Sequence, residues 1–163
     1  MADRNADYTV PGLALENGHE IAGLLQQRLH ALNDLHLALK HVHWNVTGPN
    51  FIAVHEMLDP EIEKVRGFAD EVAERIATLG GTPSGRSAEM VAERTWEDYP
   101  LGRAGTQEHL QEVDKVYDGV VSDHRQVISK VGDTDPITED LLIGQTRELE
   151  LFQWFVRAHL ERS

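Results

Sequence analysis

Four stretches of this chain repeat apolar residues at alternating three- and four-residue spacing, and almost none repeats them every second residue. That period puts one apolar stripe on each of four helices, and each stripe must be buried against the others. The first run is Ile21, Leu25, Leu29, Leu32, Leu35, Leu39, Val42 and Val46, closed by Thr47-Gly48-Pro49-Asn50. The second is Leu58, Ile62, Val65, Ala69, Val72, Ile76 and Leu79, stopped by Gly80-Gly81, with Pro60 inside it and expected to kink the helix or remove a backbone bond. The third is Leu110, Val113, Val116, Val120, His124, Val127 and Val131, ending near Gly132. The fourth is Leu142, Gln145, Leu149, Phe152, Val156 and Leu160, entered through Asp135 as N-cap and Pro136 at the first helical position.

Connection lengths set the topology. About four residues join the first two helices and as few join the last two, so each pair runs antiparallel. Residues 81–105 separate the pairs, long enough to travel the length of a bundle and bring helices two and three parallel. Residues 87–94 (SAEMVAER) suit a short extra helix within that crossing. The expected fold is all-α: a four-helix bundle with one long crossover, the ferritin-like arrangement. Residues 1–16 read as an N-terminal extension and 17–163 as the bundle.

Composition narrows the chemistry. There is no cysteine, so any metal site must use nitrogen and oxygen ligands. The net charge of −13, from 15 Lys and Arg against 28 Asp and Glu, repels phosphate backbones and attracts cations. The N-terminal stretch has neither the basic start nor the apolar run of a secretory signal, and no apolar stretch approaches the roughly 20 residues of a membrane span. A soluble, cytoplasmic protein without a membrane partner is expected. No glycine-rich phosphate loop, GxSxG elbow or cysteine nucleophile is present.

Of nine histidines, His30, His36, His109 and His159 sit among polar neighbours and read as surface residues, while His124 lies on an apolar stripe and reads as a core histidine. A different pattern joins His43, His55, Asp59, Asp70 and Glu74. His55 and Asp59 are four apart, as are Asp70 and Glu74, so each pair shares a helix face. The stripe Asp59, Glu63, Arg66, Asp70, Glu74 reads either as a solvated charged face, with Arg66 pairing to its acidic neighbours, or as ligands. Asp59 and Asp70 point the same way but stand roughly 16 Å apart along the axis, too far to share a metal. One chain therefore carries two half-sites. An antiparallel copy of the same helix, related by a two-fold axis near Lys64 and Val65, brings Asp59 of one chain towards Asp70 of the other, with His43 joining from the side. Two imidazoles and three carboxylates suit ferrous iron better than calcium or structural zinc, and carboxylates favour the ferric product. The run His55-Glu56-Met57-Leu58-Asp59 begins like the HExxH motif of zinc hydrolases, but Asp59 stands where the second histidine belongs.

The segment His43-Trp44-Asn45-Val46-Thr47-Gly48-Pro49-Asn50-Phe51, then His55-Glu56-Met57-Leu58-Asp59, then Asp70-x-x-Ala73-Glu74-Arg75, closely resembles the Dps family of mini-ferritins. The resemblance spans residues from about 20 to 160 and includes Phe152-Gln153-Trp154-Phe155; it is to members of actinobacterial type without basic tails. It implies a hollow, tetrahedral dodecamer built from two-fold dimers. It also implies a ferroxidase centre at the two-fold interface, with His43, His55 and Asp59 from one chain and Asp70 and Glu74 from its partner. Ferrous iron would be oxidised there, with hydrogen peroxide as the family's usual oxidant, and ferric mineral stored inside as protection against oxidative damage. Trp44 matches a family tryptophan near the centre, where it either scavenges stray oxidising equivalents or packs the interface. Glu139, Asp140 and Glu148 are candidate acids for three-fold iron-entry pores, although Glu139 and Asp140 equally suit a helix N-terminus. The alternative role is a nucleoid-associated DNA-binding protein with little iron chemistry. Against it, the N-terminal stretch offers Arg4 alone, beside Asp3 and Asp7, and little follows helix four before Arg162-Ser163.

Overall fold

The structure is a computed structural model and describes residues 5–161; Asp3, Arg4 and Arg162-Ser163 lie outside the described residues. Four long helices form the bundle: α1 (Leu15–Asn45), α2 (Phe51–Thr78), α4 (Thr106–Val131) and α5 (Pro136–Leu160). The short α3 (Ser87–Glu93) lies in the crossover, as the sequence leads one to expect. Two-residue strands β1 (Val46–Thr47) and β2 (Ala104–Gly105) pair in parallel, Val46 opposite Ala104 and Thr47 opposite Gly105. Two residues carry no readable alternation, so this clip is invisible in the sequence. Thr47 reinforces it by donating its hydroxyl to the Ala104 carbonyl at 3.0 Å.

Cross-links between helices fix the direction of each. Lys40 near the end of α1 meets Asp59 near the start of α2, and Val46 after α1 pairs with Ala104 before α4. Arg75 near the end of α2 meets Asp135 before α5. Thus α1 is antiparallel to α2 and α4, and α2 is antiparallel to α5. Helices α2 and α4 therefore run parallel, the consequence of the long crossing. The four stripes meet in one core in which Leu25, Leu32, Leu39, Leu58, Leu142 and Leu149 are fully buried. Each such leucine contributes about 1.5–3 kcal/mol.

The turns use the expected residues. Gly48 takes φ 109° after α1, and Gly80 takes φ 87° after α2, where a side chain would also strike the Tyr8 carbonyl. That close approach lets the N-terminal segment cross the end of α2, with Ala6 N–H donating to the Gly80 carbonyl at 2.8 Å. Pro60 is absorbed: α2 runs unbroken through it, and the exposed Pro60 ring sits on the solvent side.

Two histidines depart from expectation. His30 and His109 are buried, 1% and 0% exposed, rather than on the surface. Both lie under the crossover: His30 faces Glu93 at the end of α3, and His109 is covered by Tyr99. The crossover thus buries polar residues that the helix period alone assigns to solvent. His36 is partly covered, and His159 is exposed as expected.

His124 is in the core, and its Nδ1 donates to the Val120 carbonyl at 3.0 Å. Burial, aided by the positive charge of Arg28, pushes its pKa down to about 4 from 6.5. The unfolded chain takes up this proton at higher pH than the folded one. Stability is therefore full above pH 6.5 and is lost as pH falls towards 4, by about 3 kcal/mol in all. Chemical denaturation at pH 7 and pH 5 should show about 2 kcal/mol of this loss. His124→Leu should flatten the dependence; an unchanged slope would remove His124 as its cause.

Candidate metal centre

The last turn of α1 and the first turns of α2 face each other across the Gly48 turn and bring His43 and His55 together. Their rings stack with centroids 3.7 Å apart and planes at 25°. His43 Nδ1 lies 3.1 Å from the His55 carbonyl, and His55 Nδ1 lies 2.9 Å from the His43 carbonyl. A carbonyl only accepts, so both rings carry their proton on Nδ1. Both Nε2 atoms are left with a free lone pair, the form in which imidazole binds a metal. Each histidine is thereby oriented by the backbone of the other.

One turn further along α2, Asp59 places Oδ1 3.3 Å from His43 Nδ1 and 3.4 Å from Lys40 Nζ. His43 is buried, and desolvation lowers its pKa, helped by His55 and Lys40 and opposed by Asp59. A neutral ring at neutral pH needs no deprotonation before it takes a cation. Lys40 was not foreseen from the sequence, because its role depends on how α1 and α2 are aligned.

Asp70 and Glu74 sit on the same helix three turns away, exposed and without an ion pair among the described residues. Arg66 pairs instead with Glu63 at 2.8 Å, so that stretch behaves as the ordinary solvated face. Asp70 borders an open groove between α1 and α2 of about 600 Å³, together with Asn33, Glu63, Gly67 and Ala73. Among the described residues of one chain, no three histidine or carboxylate side chains gather closely enough to hold a metal. The chain thus presents an imidazole pair with one carboxylate, and apart from it a carboxylate pair.

Trp44 is 69% exposed on the last turn of α1, beside His43 in sequence. Glu139 folds back over Gly132 at the α4–α5 turn, Asp140 is exposed, and Glu148 is spent on Lys64 at 3.4 Å and Arg147 at 3.8 Å. Inside the bundle, Glu61 is 1% exposed and accepts the Tyr117 hydroxyl at 3.0 Å, and burial pushes its carboxyl up to about 8. The positions Val54, Leu58, Glu61, Val65, Phe68 and Val72 form a heptad-like stripe, the signal by which Glu61 could have been placed in the core.

A ferritin-like domain model matches residues 22–163. The DNA protection during starvation protein of Mycolicibacterium smegmatis is 57% identical over 156 residues, covering 96% of this chain and 85% of that protein. The solved structure of DpsA14 from Streptomyces coelicolor is 59% identical, with a TM-score of 0.96 over 99% of this chain and 96% of that one. A more distant neighbour is the Dps of Microbacterium arborescens in its high iron form, 32% identical, with a TM-score of 0.85 over 93% and 97% of the two chains. With its bundle, its crossover and relatives of this identity along nearly its whole length, the chain belongs to the Dps family of ferritin-like proteins.

Proposed function

We propose that this protein is a ferroxidase and iron-storage subunit that oxidises ferrous iron at a centre shared between two chains. The observation that carries this reading is the His43–His55 pair, whose two Nε2 lone pairs are held free for a cation beside Asp59. Asp70 and Glu74 complete the ligand set from a two-fold partner, which explains exposed carboxylates that have no ion pair among the described residues. The open groove beside Asp70 is where that partner's helix would lie. Iron is the substrate: two ferrous ions each give one electron and one hydrogen peroxide takes both, so no hydroxyl radical is released. The chain's residues bind, orient and compensate charge. The high iron form described for the Microbacterium arborescens relative supports iron as cargo.

Two-fold dimers assemble in this reading into a hollow dodecamer in the cytoplasm that stores ferric mineral. Asp140 is the acid best placed for iron entry, since Glu139 is folded back and Glu148 is already paired. Trp44 lies at the interface beside the centre. Among the described residues, no helix is long and apolar enough to cross a membrane. The test is an anaerobic ferrous titration followed by peroxide, monitored by ferric absorbance. Saturable binding and fast peroxide-dependent oxidation are expected; slow oxidation no faster than in buffer would refute the proposal.

The M. smegmatis relative is named for DNA protection, but a net charge of −13 per chain opposes a polyanion. No retardation of duplex DNA is expected at about 0.15 M salt without magnesium. A clear gel shift under those conditions would revive the nucleoid-associated alternative.

A further inference from the structure

Behind α1, on the side away from the candidate centre, the crossover places Tyr99 against His109. The Tyr99 hydroxyl lies 2.8 Å from His109 Nδ1, and the two rings are parallel within 5° at 6.0 Å between centroids. His109 is fully buried. The backbone of Asn45 and Gly102 lies near the ring, and its Nε2 forms no hydrogen bond among the described residues. In the tautomer with the proton on Nε2, Nδ1 is a lone pair whose hydrogen-bond partner is the Tyr99 hydroxyl. In that tautomer the phenol donates to Nδ1, with the His109 carbonyl a longer second acceptor at 3.3 Å.

A phenol hydrogen-bonded to an imidazole lone pair has a specific capability: it can lose an electron and its proton together, the proton crossing one short hydrogen bond. Burial raises the pKa of Tyr99, so it stays protonated and cannot be oxidised by prior deprotonation. His41 links this pair to the centre. Its ring meets Tyr99 edge-on at 5.8 Å, and its Nε2 donates to the Leu101 carbonyl at 2.7 Å. His41 precedes His43 by two residues, so the two project from nearly opposite faces of α1. The Tyr99–His109 pair and the candidate centre thus flank the same helical turn, about one helix diameter apart, roughly 10–12 Å. That is short enough for a single electron-tunnelling step.

The geometry points to Tyr99–His109 as a one-electron redox site that completes the reduction of hydrogen peroxide when only one ferrous ion occupies the centre. This rests on the ferroxidase reading above. Peroxide needs two electrons. The lone ferrous ion gives one and becomes ferric; Tyr99 gives the other. The phenolic O–H bond breaks, an N–H bond forms at His109 Nδ1, and a neutral tyrosyl radical remains beside an imidazolium. Two protons from solvent and the two electrons turn the peroxide into two waters. The next ferrous ion returns an electron to the radical, and His109 returns the proton, restoring the pair.

The test loads about one ferrous ion per centre anaerobically, adds hydrogen peroxide, freezes within milliseconds and records the electron paramagnetic resonance spectrum. A tyrosyl signal that narrows when the tyrosine rings are deuterated is expected. Coupling to ¹⁵N-histidine through an exchangeable proton should mark it as hydrogen-bonded to His109. Tyr99→Phe, which removes one hydroxyl, should lower the signal at least tenfold while ferric iron still forms. Ferric formation with no radical, or a radical that survives in Tyr99→Phe and belongs to Trp44, Trp96 or Tyr117, would overturn the assignment. A second arm uses flash photo-oxidation of the iron-free protein by a one-electron ruthenium oxidant. If ferrous iron is not oxidised at all, the ferroxidase reading fails. The photo-oxidation arm then still decides whether Tyr99 is the chain's preferred one-electron donor or not.

Discussion

The double variant Asp70→Ala/Glu74→Ala should slow rapid ferrous oxidation by at least about 100-fold, since loss of even the outer partners of metal ligands costs ten- to a hundredfold. Both carboxylates are exposed and without an ion pair among the described residues, so truncating them should shift unfolding by no more than about 0.5 kcal/mol. Assembly should persist as judged by size-exclusion chromatography. The chemical cost falls on the product, because hard anionic oxygens stabilise the ferric state more than the ferrous one. Complementation then separates a shared centre from a private one. His43→Gln/His55→Gln should be equally slow alone. Co-refolded one-to-one with the acid variant, it should recover about a quarter of wild-type sites, because random pairing about a two-fold axis leaves one intact centre in each mixed dimer. Unchanged kinetics in the acid variant would eliminate Asp70 and Glu74. Lost activity without recovery on mixing would eliminate the arrangement across two chains.

What the sequence disclosed follows from what periodicity encodes. The stripes through α1, α2, α4 and α5, and the length of residues 81–105, are enough for the bundle and the parallel sense of α2 and α4. Period also placed Asp59 and Asp70 on one face of α2. It could not say that His43 and His55 exchange hydrogen bonds to one another's carbonyls, because that depends on the pitch of α1 against α2 across the Gly48 turn. The same limit hid the burial of His30 and His109. A helix stripe records one packing partner, and α1 and α4 each have two, the bundle on one side and the crossover on the other. Glu61 is the converse case: it occupies an apolar position on the stripe, and its charge masked that position.

Arg75→Ala should produce the largest loss of stability of any single change proposed for this chain, about 3–5 kcal/mol. Arg75 follows Glu74 on α2 but turns the other way, towards the start of α5. Its Nε donates to Thr138 Oγ1 at 2.9 Å and its Nη2 to Asp135 Oδ2 at 2.7 Å, with the side chains 13% and 6% exposed across the ion pair. Burial alone would push the Asp135 carboxyl up, but the Thr138 hydroxyl and the Arg75 guanidinium outweigh it and hold it below the usual carboxylate range. The stability this supplies is present above the unfolded pKa near 4 and is lost as pH falls through the lower folded value. Removing Arg75 leaves a buried carboxylate without a compensating cation, held by the hydroxyl and backbone of Thr138. Arg75→Lys should recover only part, since an ammonium cannot reach both acceptors with the same fork. Arg75→Ala/Asp135→Asn should recover more, because no buried charge is then orphaned. Guanidinium unfolding at pH 7 measures all three. The last turns of α2 carry Glu74, so Arg75→Ala should also slow ferrous oxidation, and the conservative double variant should restore part of the rate along with the stability. A loss within about 0.5 kcal/mol of zero, the usual range for surface substitutions, would mean that this pair does not anchor α2 to α5.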